Sequence, residues 1–212
     1  MLVGERMSKP VITISPDMPI SEALNLMKKE RIRRAPVVKD GKLAGIVSDK
    51  DLLNASPSPV TTLSIWEMNY LLSKVTVSQV MTSNVMTVTQ DTPIEQAARI
   101  MADNKIGGLP VLRDGHVVGI ITETDLFKVF LELLGAREPG IRVTALIEDR
   151  PGELANITEA IAAKKGNFIA FGQFTNENPN LKVVTFKVKG LTHDQVKEAI
   201  QPVVKEILDI RS

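Results

Sequence analysis

The feature that most constrains this chain is an internal duplication. Residues 7–53 align with residues 81–127 without a gap, at an offset of 74 positions. Of the 47 aligned positions, 17 are identical, whereas about 3 would be expected from average residue usage. Self-similarity of this kind indicates one structural unit used twice. We therefore expect two copies of a small unit that share a core, because each is too small to bury a sufficient core alone.

Each copy has the pattern of a β-α-β-β-α unit. "VITI" (11–14) and "VMTV" (85–88) are rich in β-branched residues and predict a first strand. A helix follows, then a strand, an Asp-Gly hairpin turn, a third strand and a second helix. The first helix of each copy has apolar residues at i, i+3, i+4 and i+7: Ile20, Ala23, Leu24 and Met27, and Ile94, Ala97, Ala98 and Met101. Two such three-stranded units are expected to stack sheet against sheet around a pseudo-two-fold axis.

The segment between the copies predicts a turn-rich linker over 54–62 and a short amphipathic helix over 63–74. This helix carries Trp66 and Tyr70 four residues apart on one face. Aromatic pairs at this spacing usually pack against a core. A gate over a ligand and a dimer contact are the alternatives.

The pattern changes after residues 133–140, and the order of predicted elements over 141–212 is β-α-β-β-α-β. This is the order of the ferredoxin-like arrangement. The predicted fold class is α+β, with a first repeat unit over 1–60, a second over 61–138 and a third domain over 139–212.

Composition excludes several classes of function. The chain has no cysteine, which excludes disulfides, thiolate metal sites and cysteine nucleophiles. A formal net charge of +1 gives no reason to expect nucleic acid or an anionic membrane as a partner. No apolar stretch approaches a membrane span, and no signal peptide is recognisable, so we expect a cytoplasmic protein.

No catalytic motif is present in the sequence. The phosphate-binding and dinucleotide-binding glycine patterns and the G-x-S-x-G motif are all missing. His116 and His193 belong to different units and have no second histidine at metal-ligand spacing. We expect neither a catalytic residue nor a metal site, and we predict that the protein is not an enzyme.

Several motifs taken together resemble a known family. The duplicated unit resembles a tandem pair of CBS domains, also called a Bateman module, over nearly all of 1–135. The resemblance rests on the strand entry before each helix, the "P-I-x-x-A" helix start, "P-V-x-x-D-G", and "GIVSDKDL" (45–52) with its equivalent "GIITETDL" (119–126). Residues 141–212 resemble an ACT domain through "EDRPGELANI" (148–157) and "GNFI" (166–169). The order CBS–CBS–ACT resembles the bacterial acetoin-utilisation B-type proteins.

The resemblance to CBS pairs implies a nucleotide site. It implies that Ser48 and Thr122 contact a ribose or phosphate oxygen, and that Asp51 and Asp125 accept hydrogen bonds from ribose hydroxyls. The ligand would be an adenine nucleotide (AMP, ADP or ATP) or a related adenosyl compound. The base would lie against the first strand and the residues before the second strand of each copy: Thr13, Ile14, Arg33, Arg34, Ala35 and Pro36, and Thr87, Val88, Gly107, Gly108, Leu109 and Pro110.

The same hydroxyl–Asp pairs have a purely structural interpretation. Ser-x-x-Asp and Thr-x-x-Asp before an apolar run are also capping boxes, which need no ligand. The copies also differ, because Arg33 and Arg34 occupy the positions of the two glycines at 107–108. Guanidinium groups could hold phosphate in their own cleft or in the neighbouring one, so we predict unequal affinities.

The resemblance to ACT domains implies a second ligand. A small amino acid would bind at a subunit interface, held by the loop residues and by one residue of the next strand: Asp149, Arg150, Pro151, Gly152 and Leu154, with Asn167. The structural alternative is a Pro-Gly turn that only starts a helix.

The function predicted from the sequence is a ligand-sensing regulator that acts on an effector protein of unknown identity. The chain would form a homodimer or a higher homo-oligomer whose conformation responds to ligand. The main alternative is an assembly or adaptor module with vestigial clefts. A stand-alone enzyme is the third hypothesis.

Overall fold

The computed structural model describes residues 1–55 and 74–212. Trp66 and Tyr70 of the predicted linker helix lie outside the described residues. The chain divides into two compact units, Met1–Leu126 and Phe127–Ser212.

The first copy contains the predicted helices and hairpin. A short helix α1 (Val3–Arg6) precedes α2 (Ile20–Glu30), and β1 (Arg34–Lys39) pairs antiparallel with β2 (Lys42–Ser48) before α3 (Asp49–Asn54). The apolar face predicted for α2 is confirmed, since Ile20, Ala23 and Met27 are buried. They pack with the strands in the core of this copy.

The second copy repeats the same order of elements. A 3-10 turn (Val77–Gln79) precedes β3 (Val88–Thr89) and α4 (Ile94–Asn104). Then β4 (Gly108–Arg113) pairs antiparallel with β5 (His116–Thr122), and α5 (Glu123–Leu133) follows. The apolar face of α4 matches that of α2 position by position, with Ile94, Ala97 and Met101 buried.

Both hairpins turn at the predicted Asp-Gly pairs. Asp40 and Gly41 have φ of 50° and 77°, and Asp114 and Gly115 have φ of 52° and 78°. Positive φ at both central residues is the geometry of the type I′ turn, in which Asp-Gly is favoured. These turns set the register of the two hairpins.

The prediction of a full first strand in each copy was wrong. Ile14 forms a single parallel bridge with Val37, and β3 has two residues. The cause lies in the neighbouring strand. Ile14 N donates to Pro36 O at 3.0 Å, but Pro36 has no N–H with which to extend the parallel ladder towards earlier residues. Pro110 occupies the same position in the second copy.

The segment that enters each copy pairs with the other copy, which the sequence patterns did not predict. Ser8 forms an antiparallel bridge with Ile120, and Thr82 forms the equivalent bridge with Ile46. Thr82 and Ile46 exchange two backbone hydrogen bonds of 2.9 Å. The two bridges are equivalent, because Thr82 follows Ser8 and Ile120 follows Ile46 by the same offset of 74 positions.

Two glycines permit this exchange. A Cβ placed on Gly45 would lie 2.6 Å from Met81 Sδ, and one on Gly119 would lie 2.3 Å from Met7 Sδ. Any side chain at these positions would push the entering methionine out of contact. The glycine of each "G-I" motif therefore makes room for the segment that crosses over.

The second unit has the predicted β-α-β-β-α-β order. Its elements are β6 (Ile141–Glu148), α6 (Glu153–Ala163), β7 (Asn167–Thr175), β8 (Leu181–Lys189), α7 (His193–Ile200) and β9 (Glu206–Arg211). The strands form an antiparallel sheet in the order β7-β8-β6-β9. Alternate residues of β6 are buried, as expected for a sheet with helices on one face.

Candidate functional site

The first hydroxyl–Asp pair is a closed capping box, and the carboxylate of the second pair makes the equivalent bonds to its N-cap residue. Asp51 N donates to Ser48 Oγ at 3.2 Å, and Oδ2 of Asp51 accepts from the N and Oγ of Ser48 at 2.8 and 2.6 Å. In the second copy, Oδ2 of Asp125 accepts from the N and Oγ1 of Thr122 at 3.1 and 2.7 Å. The capping interpretation is therefore confirmed for Ser48 and Asp51, and the Asp125 carboxylate also bonds to the residue at the start of its helix. It leaves a second role open, because a carboxylate has a further oxygen that can accept hydrogen bonds.

A cavity of about 450 Å³ adjoins the first pair. This volume lies within the range of small-molecule sites. Both copies contribute to its walls, which are formed by Arg34, Ile46, Val47, Ser48, Asp51, Thr82, Asn84, Val85, Met86, Asn104, Lys105, Ile106, Gly107 and Gly108.

The structure groups the predicted residues differently from the sequence interpretation. We expected Thr122 and Asp125 to share a cleft with Gly107 and Gly108. Instead, the two glycines face Ser48 and Asp51 across the pseudo-two-fold axis. The reason is that this cleft combines the helix start of the first copy with the pre-strand residues of the second.

The two arginines reach different walls. A Cβ on Gly107 would lie 2.0 Å from Nη2 of Arg34, so the Arg34 side chain crosses the backbone of the second copy at this glycine. Its Nη2 is 4.0 Å from Oε2 of Glu123. Arg33 turns the other way and donates from Nη2 to Thr124 Oγ1 at 3.2 Å. The first cleft therefore contains one of the two guanidinium groups.

Most of the other residues predicted for the nucleotide site belong to the core. Their side chains are buried and do not face an open cleft: Ile14, Ala35, Pro36, Val88, Leu109 and Pro110. Thr13 and Thr87 are exposed on the first strand segments. Consecutive residues of β1 and β4 are buried, so both faces of these strands are covered and these side chains belong to the interior.

The sequence interpretation missed one wall of the cavity. Thr82 and Asn84 come from the crossing segment, and Asn104 and Lys105 come from the end of α4, whereas Val85 and Met86 belong to the first strand that was predicted to contact the base. Lys105 is the left-handed C-cap of that helix, with φ of 53°. The crossing of the entry segments was the missing information, since it carries residues 82–86 to the first copy.

The loop predicted to bind an amino acid in the second unit is tied by ion pairs. Asp149 Oδ2 lies 3.2 Å from Lys182 Nζ. Arg150 bonds to Glu153, which is buried, and lies 3.0 Å from Glu148. Hydrogen bonding to Glu153, followed by the charge of Glu148, raises the pKa of Arg150. The loop is thus a charged network at the start of α6.

Within one chain the structure does not bring Asn167 to this loop. Strand register sets the separation: Glu148 pairs with Leu181 at one end of β8, and Asn167 pairs with Lys189 at the other end. At about 3.3 Å per residue, the two ends are roughly 25 Å apart. The loop and Asn167 can therefore contact one ligand only if they come from different chains, and the predicted site at a subunit interface stays a prediction. Pro151 and Gly152 precede α6 as predicted, Gly152 as a left-handed N-cap with φ of 96°, and Leu154 is 40% exposed.

No group of three or more His, Asp or Glu side chains that could hold a metal ion occurs among residues 1–55 and 74–212. Within the same ranges, no helix is long and apolar enough to cross a membrane. Nδ1 of His116 lies 3.0 Å from Gly41 O, where the two hairpin turns meet. His193 contacts its neighbour Asp194.

The comparisons with known proteins agree with the fold of the first unit. The model of the CBS domain family matches residues 3–58 and 77–132. A CBS domain-containing protein of Dictyostelium discoideum is 35% identical over 136 residues, which is 63% of this chain and 94% of the relative.

Two solved structures are also similar. The CBS domain pair of protein MJ0100, in complex with 5′-methylthioadenosine and S-adenosyl-L-methionine, is 33% identical with a TM-score of 0.52, covering 65% of this chain and 98% of that one. A candidate acetoin utilization protein (AcuB) from Vibrio cholerae is 31% identical with a TM-score of 0.54, covering 65% of this chain and 96% of that one.

Proposed function

The chain belongs to the CBS domain family, and from that premise we propose that it is a non-enzymatic, ligand-sensing regulator. Its ligand is an adenine nucleotide or a related adenosyl compound. The observation that carries this proposal is the cavity of about 450 Å³ that both copies line beside Ser48 and Asp51.

The lining of the cavity suits a nucleoside. The walls offer apolar side chains for a base, including Val85 and Ile106, and polar groups for a sugar. Oδ2 of Asp51 is engaged by the capping box, so Oδ1 is the oxygen that would accept from a ribose hydroxyl. The CBS pair solved with adenosyl compounds supports the same ligand class.

The regulatory part of the proposal rests on the position of the ligand. A molecule that contacts residues of both copies changes the free energy of any rearrangement that alters their spacing. We propose that this rearrangement occurs in a cytoplasmic homodimer or higher homo-oligomer and is detected by an effector protein. The similar AcuB protein supports acetoin-utilisation control as one setting.

For the second unit, we propose an ACT domain. The β-α-β-β-α-β order and the Pro151-Gly152 loop before α6 support this assignment. An amino acid at the loop would meet Asp149, Arg150 and the helix start. Asn167 could join it only from another chain, which agrees with a site at a subunit interface.

Mass spectrometry of small molecules released from the purified, denatured protein tests the main proposal. We expect an adenine nucleotide or adenosyl compound near one equivalent. An empty protein whose melting temperature responds to neither AMP, ATP nor amino acids would contradict it. That outcome would favour the alternative function, an assembly or adaptor module with vestigial clefts.

A further inference from the structure

We infer that only one of the two pseudo-equivalent clefts binds ligand, the one that contains Ser48 and Asp51, and that its ligand is a nucleoside phosphate. This inference rests on the proposed function and deepens it. It goes beyond a general adenosyl site in both the number of ligands per chain and their charge.

The first argument is the difference in exposure and hydrogen bonding between the two aspartate carboxylates. Asp125 is 4% exposed, and its second oxygen, Oδ1, already accepts from Ser8 Oγ at 3.4 Å. Asp51 is half-buried and lines the cavity. No hydrogen bond from residues 1–55 or 74–212 reaches its Oδ1. A diol can therefore bond to Asp51 directly, whereas at Asp125 it would have to displace Ser8 from a buried carboxylate.

The second argument is the space on the opposite wall. Gly107 and Gly108 have no side chains and leave the first cleft open. The equivalent positions of the first copy hold Arg33 and Arg34. Since the Arg34 side chain lines the first cavity, Arg33 is the one that faces the second hydroxyl–Asp pair. Nη2 of Arg33 donates to Oγ1 of Thr124, which lies between Thr122 and Asp125 in the chain, at 3.2 Å. The backbone pseudo-symmetry is thus broken by side chains beside the two hydroxyl–Asp pairs.

The third argument is charge. Among the residues that the structure describes, the cavity beside Ser48 is lined by two cationic side chains, Arg34 and Lys105, and by one carboxylate, that of Asp51. The nearest acidic partner of Arg34, Glu123, is 4.0 Å away and its side chain is 52% exposed, so the solvent-screened pair is weak. A phosphate group would replace this partner with a charge-assisted hydrogen bond. A cationic adenosyl sulfonium would meet an excess of positive charge.

Isothermal titration of the full chain with ATP, AMP, adenosine and 5′-methylthioadenosine tests the inference. We expect one equivalent of ATP or AMP per chain, and binding at least tenfold weaker for the two compounds without phosphate.

Arg34→Ala should weaken ATP binding about tenfold or more, as expected when a bond to a charged group is lost, and should leave adenosine binding within twofold. Lys29→Ala is the matched control, because Lys29 is an exposed cation of α2 outside the cavity, and it should bind ATP as the wild type does.

A pair of equivalent substitutions tests which cleft is used. Asp51→Asn should weaken ATP binding about tenfold or more, while Asp125→Asn should leave the affinity within twofold. If Asp125→Asn does not fold, the stoichiometry of the wild type decides the question alone. Two equivalents per chain, or adenosine bound as tightly as AMP, would overturn the inference and leave the proposed function standing. Absence of binding for all four compounds would overturn the proposed function and the inference with it.

Discussion

Gly107 is the residue of the second copy over which the Arg34 side chain of the first copy lies. Since a Cβ there would lie 2.0 Å from Nη2 of Arg34, Gly107→Ala must displace that guanidinium. The obstacle is the end of a flexible side chain, so we expect a small change in melting temperature. We expect a loss of ATP affinity similar to that of Arg34→Ala, about tenfold, measured by titration calorimetry.

A double-mutant cycle provides the control. If the added methyl acts only by moving Arg34, the variant carrying both Gly107→Ala and Arg34→Ala should bind ATP as weakly as Arg34→Ala alone. If the two losses of ATP affinity multiply in the double variant, this explanation is contradicted, and the methyl group blocks the ligand itself.

Asp209 on β9 gives a prediction that depends on pH. Hydrogen bonding to Arg211 is the main cause that lowers the pKa of this carboxyl below its usual 3.8. A carboxyl whose folded pKa is lowered stabilises the fold at pH values above its unfolded pKa, and this contribution disappears as the pH falls through the folded pKa. NMR titration should give a midpoint for Asp209 below 3.8, and Arg211→Gln should raise it. An unchanged midpoint in the variant would contradict the assigned cause.

At the scale of elements, substitutions in two capping boxes distinguish an effect on stability from an effect on ligand binding. Ser48→Ala removes the cap of α3 and should lower the free energy of unfolding by about 1 kcal/mol. It should also reduce the rise in melting temperature caused by ATP, because Ser48 lines the cavity. Chemical denaturation and thermal melting with and without ATP measure the two effects.

Thr192→Ala is the matched control for this experiment. Thr192 caps α7 of the second unit with the same kind of box, and its Oγ1 accepts from Gln195 N at 3.3 Å. We expect a similar loss of stability and an unchanged response to ATP. A full ATP response in Ser48→Ala would leave this hydroxyl with a structural role alone.

Elements with local signals were predictable from the sequence. The hairpins followed from Asp-Gly pairs, and the helices followed from apolar spacing and caps. The length of the first strands was not predictable from "VITI" and "VMTV" themselves. It is limited by Pro36 and Pro110, more than twenty residues away, which have no N–H to donate to the ladder.

At the scale of the whole molecule, the crossing of the entry segments gives a further prediction. Deleting residues 1–8 removes the backbone partner of Ile120, whose N donates to Ser8 O at 3.3 Å. Hydrogen exchange at Ile120 should accelerate. Ile46 is an internal control, because its partner Thr82 remains. Equal acceleration at both amides would indicate general destabilisation of the unit.

The same crossing explains which part of the site the sequence could reveal. Ser48 and Asp51 were found because they lie in one repeated motif. Their opposite wall, with Thr82 and Lys105, was missed because the pairing of copies is non-local and has no motif of its own. The separation of Asn167 from the loop within one chain was not predictable for a related reason, since strand order and register decide which ends of the strands meet.

The crossing also sets an order for folding during synthesis. The repeat unit of the first copy has been synthesised by residue 53. Its Ile46 has no bridge partner, however, until Thr82 has left the ribosome. Ser8 can form its bridge only later, because its partner Ile120 is synthesised more than a hundred residues after it. Closing such long loops slows folding. A nascent chain stalled before Thr82 should therefore present a half-finished first copy to chaperones, and the two copies should become protected from proteases together.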